Sequence, residues 1–202
     1  MRVPFRRTLA ALLLPVALVA VEPTRAAEQQ PAPRIFTPTG EPVVLTKLEA
    51  LLATPGVLLT TDFYPIDTRF GPTVALDAVV ASDIDRQTKV KGLRIRLRDE
   101  TKPEPRSGSS FLDLDEAVSL SQALTSIAAL AANWSGREDQ RSTDVSFRTV
   151  GGFSVGVHES GRGQSGFLSS GYTDPVRTSI GIGDFATLKL AVDQALGVLA
   201  DK

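Results

Sequence analysis

With 202 residues, 42% of them hydrophobic and 22% charged, the chain has the make-up of one ordinary globular domain rather than of a disordered or fibrous protein. Setting aside residues 1–26 removes Arg2, Arg6, Arg7, Arg25 and Glu22, which takes 22 basic and 23 acidic residues to 18 and 22, a net of −4. A mildly acidic body argues against a dedicated nucleic-acid binder, whose affinity comes largely from neutralised phosphates. Without cysteine there is no disulfide framework, thiolate nucleophile or lipidated cysteine, so stability has to come from the core.

Residues 1–26 have the pattern of a signal peptide. Arg2, Arg6 and Arg7 form a positive start, Leu9 to Val21 is an apolar run, and Thr24-Arg25-Ala26 offers a small-residue cleavage site. The run is shorter than the ~20 residues a bilayer requires and Pro15 interrupts it, so it predicts a cleaved leader and a periplasmic or secreted protein. Arg6-Arg7 also admits a twin-arginine route. Residues 27–43 carry four prolines and little hydrophobic pattern, which predicts a disordered tether with Ile35 and Phe36 as its only docking residues. Residues 44–202 then form a single α+β domain.

Within that domain Thr46 and Glu49 predict a capping box that opens a short helix carrying Leu48, Leu51 and Leu52, stopped by Pro55-Gly56. Strands are expected over 57–63 and 74–81, the second apolar enough to be buried on both faces. In 89–98, Leu93, Ile95 and Leu97 alternate with Arg94, Arg96 and Arg98. A bulge at Gly92 would bring Val90 to the apolar side and Lys89 and Lys91 to the basic side. The polar segment 99–110 reads as a loop.

The strongest helix signal in the chain follows. Asp113 and Glu116 form a second capping box, Leu120, Leu124, Ile127, Ala131 and Trp134 recur at three- and four-residue steps, and Gly136 is placed to end the helix. Ala123, Ala128 and Leu130 widen the stripe. Alternation over 143–149 and 153–157 around Gly151-Gly152 predicts a hairpin with a two-residue turn. Residues 164–172 are expected as an edge strand and 178–182 as a last short one. Asp184 then caps a terminal helix with Phe185, Leu188, Val192, Ala195 or Leu196, and Leu199 on one stripe. The sum is a meandering antiparallel sheet of about six to seven strands with an internal and a C-terminal helix packed on it. A PH-like barrel closed by the terminal helix is the alternative.

Motifs with catalytic associations are outweighed by their settings. Gly152-Phe153-Ser154-Val155-Gly156 matches a nucleophile elbow and His158 is near, but Ser154 falls inside an alternating strand with no helix after it. His158, four residues on, lies roughly 13 Å along the same strand, beyond hydrogen-bonding reach. Gly161 to Gly166 spells the dinucleotide fingerprint without the helix that would receive a pyrophosphate. One histidine and no cysteine give poor metal-ligating power, and the acids at Asp83, Asp85, Asp113, Asp115 and Glu116 suit turns and caps. No cofactor, metal or catalytic residue is therefore assigned. Asn133-Trp134-Ser135 fits a glycosylation sequon, but at a helix end, and Trp134 suits the core.

The one suggestive surface is the row Lys89, Lys91, Arg94, Arg96 and Arg98. It is a candidate patch for an anionic envelope component or an acidic protein partner, unless acids such as Asp77 or Asp144 neutralise it across strands.

The order of FLDLDEAVSLSQAL, FRTVGGFSVGV and SIGIGDFATLKLAVDQAL resembles an uncharacterised family of exported bacterial proteins, in which an acid-capped helix precedes a double-glycine hairpin and a final helix. The resemblance spans roughly 93–199; it implies one domain and no activity. The expected function is a non-catalytic binding or interaction module of the cell envelope. The alternatives are a carrier of a small apolar ligand and an enzyme of unrecognised type.

Overall fold

The computed structural model describes residues 35–36, 42–101, 103–134, 142–160 and 163–202. Within the tether, β1 (Ile35–Phe36) pairs antiparallel with β2 (Pro42–Val43). The first helix, α1 (Lys47–Leu52), starts at Thr46 with the expected capping box to Glu49.

The strands form two antiparallel sheets of four, a mixed α+β fold, rather than one meander of six or seven, and neither closes into a PH-like barrel. The first holds β3 (Leu59–Ile66), β4 (Val74–Asp83), β5 (Thr88–Asp99) and β6 (Arg106–Asp113) in chain order. It leads directly into α2 (Leu114–Asn133). The second holds β7 (Thr143–Arg148), β8 (Phe153–Ser160), β9 (Gly163–Ser170) and β10 (Val176–Ile180), also in chain order, followed by α3 (Asp184–Ala200).

The domain is therefore a four-strand meander plus helix, built twice. The two helices match in detail. Ala117, Leu120, Leu124, Ile127 and Ala131 are buried on α2, and Phe185, Leu188, Val192, Ala195 and Leu199 on α3, both sets at steps of three, four, three and four residues. At the N-termini, Glu116 accepts the N–H of Asp113 at 3.1 Å and Asp184 that of Gly181 at 2.7 Å. Both stripes enter one core with Leu76, Leu93, Ile95, Leu97, Leu112, Phe153, Val155, Val157 and Leu168.

Several local expectations are corrected. Residues 106–110 are not loop but the first half of β6, an edge strand running past the ends of β8, β9 and β10. A Cβ at Gly108 would stand 2.6 Å from the Ser170 carbonyl oxygen, and the hydroxyls of Ser110 and Ser170 share a buried hydrogen bond of 2.8 Å. Glycine and serine there serve a close crossing between sheets, which resembles loop composition. The hairpin at 150–152 has three loop residues, not two: the Thr149 N–H reaches the Phe153 carbonyl at 2.9 Å, and Gly152 supplies a φ of +73°. β9 is interior, and β10 takes the edge. The α3 cap is Gly183, with Asp184 the first helical residue. Leu130 is exposed, and Trp134, the C-cap of α2, is half-buried against the core. Gly136 lies outside the described residues.

Candidate functional site

The predicted cationic row does not form. β4 and β5 pair without interruption from Val74↔Leu97 to Asp83↔Thr88, so Gly92 carries no bulge and strict alternation divides the row. Arg94, Arg96 and Arg98 lie on the face away from α2 and α3. Lys89 and Lys91 lie on the helix face, where they donate to the carbonyls of Lys202 at 3.0 Å and Leu199 at 2.9 Å. They cap the C-terminus of α3, which has no basic residue in its own last turn.

Val90 is apolar for a reason the alternation does not reveal. It faces a second, small core on the outer side of the first sheet, made of Leu48 from α1 with Val79 and Ala81. Gly92 is small because a Cβ there would lie 2.1 Å from the Leu112 carbonyl oxygen and 3.2 Å from Leu48.

The arginines left on that outer face are largely neutralised. Asp77, 3% exposed, accepts from Arg94 at 3.0 Å and lies 3.3 Å from Arg96. Arg94 also stacks on Phe63 at 3.9 Å, and Arg98 pairs with Glu100 at 3.1 Å. Asp77 is the cross-strand acid that the sequence offered as the alternative to an anionic partner. Covered at one end by α1 and paired along the arginines, this face has little charge left for a ligand.

The second sheet presents the opposite case. Its inner positions, Phe153, Val155, Val157 and Leu168, are core. Its outer positions line a groove of about 530 Å³ that no described helix covers. Strand registers assemble that face in rows. Arg148 lies opposite Ser154, Ser154 opposite Ser169, and Ser169 opposite Arg177, giving Arg-Ser-Ser-Arg straight across four strands. The next row is Ser146, Gly156, Phe167 and Ser179, and the third brings together Asp144, His158 and Ser165.

Gly156 is required by close approach: a Cβ there would meet the Val145 carbonyl oxygen at 2.2 Å and the Phe167 ring at 2.9 Å. Arg177 stacks on the Phe167 ring at 4.0 Å, and Tyr172 walls one end. Sequence reasoning missed this surface because its two arginines stand on different strands 29 positions apart, each as an isolated charge. The only available signal was composition, a serine-rich pair of strands flanked by single arginines.

The structure places the other candidates plainly. Ser154 is a strand residue of β8, not an elbow, and His158 on the same strand bonds through Nδ1 to Asp144 Oδ1 at 2.5 Å. Positions 161 and 162 of the dinucleotide-like motif lie outside the described residues, and its remainder is β9. Asp83 shapes the β4–β5 turn by accepting the N–H groups of Asp85 and Arg86 at 3.0 Å each. Among the described residues no group of three His, Asp or Glu is placed to hold a metal ion, and no helix is long and apolar enough to cross a membrane.

One electrostatic knot lies beside the groove. Asp113, the cap of α2, also accepts the N–H groups of Lys47 and Leu48 at the start of α1, at 2.8 and 3.0 Å. Glu116 accepts from Asp113 and from Val150 of the hairpin, and burial raises its pKa despite these bonds. Burial, followed by the hydrogen bond to Glu49, also drives the Tyr172 phenol well above its ordinary value. The knot ties α1, α2 and the second sheet together, and it fixes the groove's end wall. No family model, curated protein or solved structure matches this chain.

Proposed function

We propose that the chain is an exported, non-catalytic binding module of a bacterial cell envelope, and that the outer face of β7–β10 is its binding surface. The observation that carries this reading is the contrast between the two sheets. The outer face of the first is partly covered by α1 and its arginines are paired, while that of the second is an open groove with Arg148 and Arg177 above a floor of serines. The groove is open to solvent and lined mainly by polar groups, which suits a binding module better than a carrier enclosing an apolar molecule. His158 and Ser154 are too far apart on one strand for nucleophilic catalysis. The basic start, apolar run and cleavage site in residues 1–26 support export.

Two measurements test the proposal. Intact mass of the protein after expression in a bacterial host should give a mature start near residue 27; a cytoplasmic product retaining the leader overturns export. Co-sedimentation with an envelope fraction should fall at least about tenfold when Arg148 and Arg177 are both changed to Glu. Unchanged co-sedimentation, with circular dichroism intact, rules this face out.

A further inference from the structure

We propose that the Arg148–Ser154–Ser169–Arg177 row takes an acidic oligosaccharide, a chain of hydroxylated rings bearing carboxylates. The proposal rests on the reading of the outer β7–β10 face as the binding surface, and adds the class of ligand. Among the described residues most arginines have acidic partners: Arg94 and Arg96 with Asp77, Arg98 with Glu100, Arg106 with Asp174, Arg86 near Asp83. Arg69, Arg148 and Arg177 do not, and two of these three line the one groove. The guanidinium is the side chain best suited to a carboxylate, through two parallel hydrogen bonds.

The spacing argues for an extended ligand. The backbones of β7 and β10 stand three inter-strand steps apart, about 14 Å. Arg177 is held over Phe167 on its own side of the groove, so the two charges address two points of a ligand rather than one small ion. Between them lie two hydroxyls, each both donor and acceptor, with Ser146 in the next row, and these match the hydroxyls of a sugar. A peptide lying over the groove is disfavoured because the backbones of the two interior strands, β8 and β9, already bond on both sides within the ladder, leaving side chains alone to recognise a ligand above them. A groove of about 530 Å³ lies within the usual range of small-ligand sites, so a short oligomer occupies it.

The test uses the mature protein with four probes: short oligogalacturonates, their methyl esters, inorganic phosphate, and phosphatidylglycerol vesicles. Titration calorimetry gives affinity and amide chemical shifts give location. The acidic oligomer should bind with shifts on β7–β10, its methyl ester at least about tenfold more weakly, and phosphate and vesicles more weakly still. Arg148→Gln and Arg177→Gln should each weaken the acidic oligomer at least about fivefold and reduce its salt dependence, while Arg98→Gln on the first sheet changes nothing. Equal binding of acid and ester, or tighter binding of phosphate or vesicles at the same residues, overturns the ligand class and leaves the surface standing. Shifts that map elsewhere, or an absence of shifts on β7–β10 with every probe, overturn both.

Discussion

The Tyr172 hydroxyl donates to Glu49 Oε2 at 2.7 Å, joining the wall of the groove on the second sheet to the helix that covers part of the first, across 123 positions of sequence. Glu49 Oε2 also accepts from the Thr46 backbone at 3.0 Å, so one carboxylate oxygen serves both a helix cap and a long-range tie.

Tyr172→Phe should therefore lower stability by about 1.5–3 kcal/mol, the range for a hydrogen bond to a charged acceptor, measured by urea denaturation. The pH dependence has a definite sign. The folded phenol has a raised pKa, so its stabilisation is complete below the unfolded value near 10 and is lost as pH rises above it. The wild-type protein should lose stability more steeply above pH ~10 than Tyr172→Phe does; parallel curves for the two would show that the tie does not hold.

Asp77 is buried and holds two guanidiniums. Asp77→Ala leaves both without their counter-charge and should cost about 3 kcal/mol, a loss that added salt does little to change. Binding at the other sheet should not be altered, and a fall in it would link the two faces.

Lys91 caps α3 from a neighbouring strand. Lys91→Met keeps most of the stem but removes the donor, and should cost about 0.5–1 kcal/mol. Faster hydrogen exchange confined to the last turn of α3 is the expected signature. An unchanged exchange profile would remove the cap from the account.

Leu188 is fully buried where α3 meets the shared core. Leu188→Ala should cost about 2–5 kcal/mol, and the corresponding Leu120→Ala on α2 a similar amount. Truncation at 183 that leaves the cooperative melt in place would show that the second helix is not part of the core.

Gly156→Ala would set a methyl group against the β7 backbone and the Phe167 ring. The ring can move but the carbonyl cannot, so a loss of about 1–3 kcal/mol is expected, with a displaced Arg177 and weaker groove binding. Wild-type stability and binding in this variant would mean that the close approach is not needed.

The features legible from sequence alone are those whose causes lie within a few residues. The caps at Thr46–Glu49 and Asp113–Glu116, the buried stripes of α2 and α3, and the alternation along β5, β7 and β8 all follow from contacts one helical turn or one strand pleat away. Long-range contacts decided the rest. A bulge at Gly92 is the local way to bring Val90 to the main core, whereas a second core under α1 receives it without one. Residues 106–110 have the composition of a loop because the reason for Gly108 is the Ser170 carbonyl, 62 positions on. Division into two sheets, and a row of Arg148, Ser154, Ser169 and Arg177 drawn from four strands, depend on register, which hydrogen bonding between distant segments sets and no short window of residues contains.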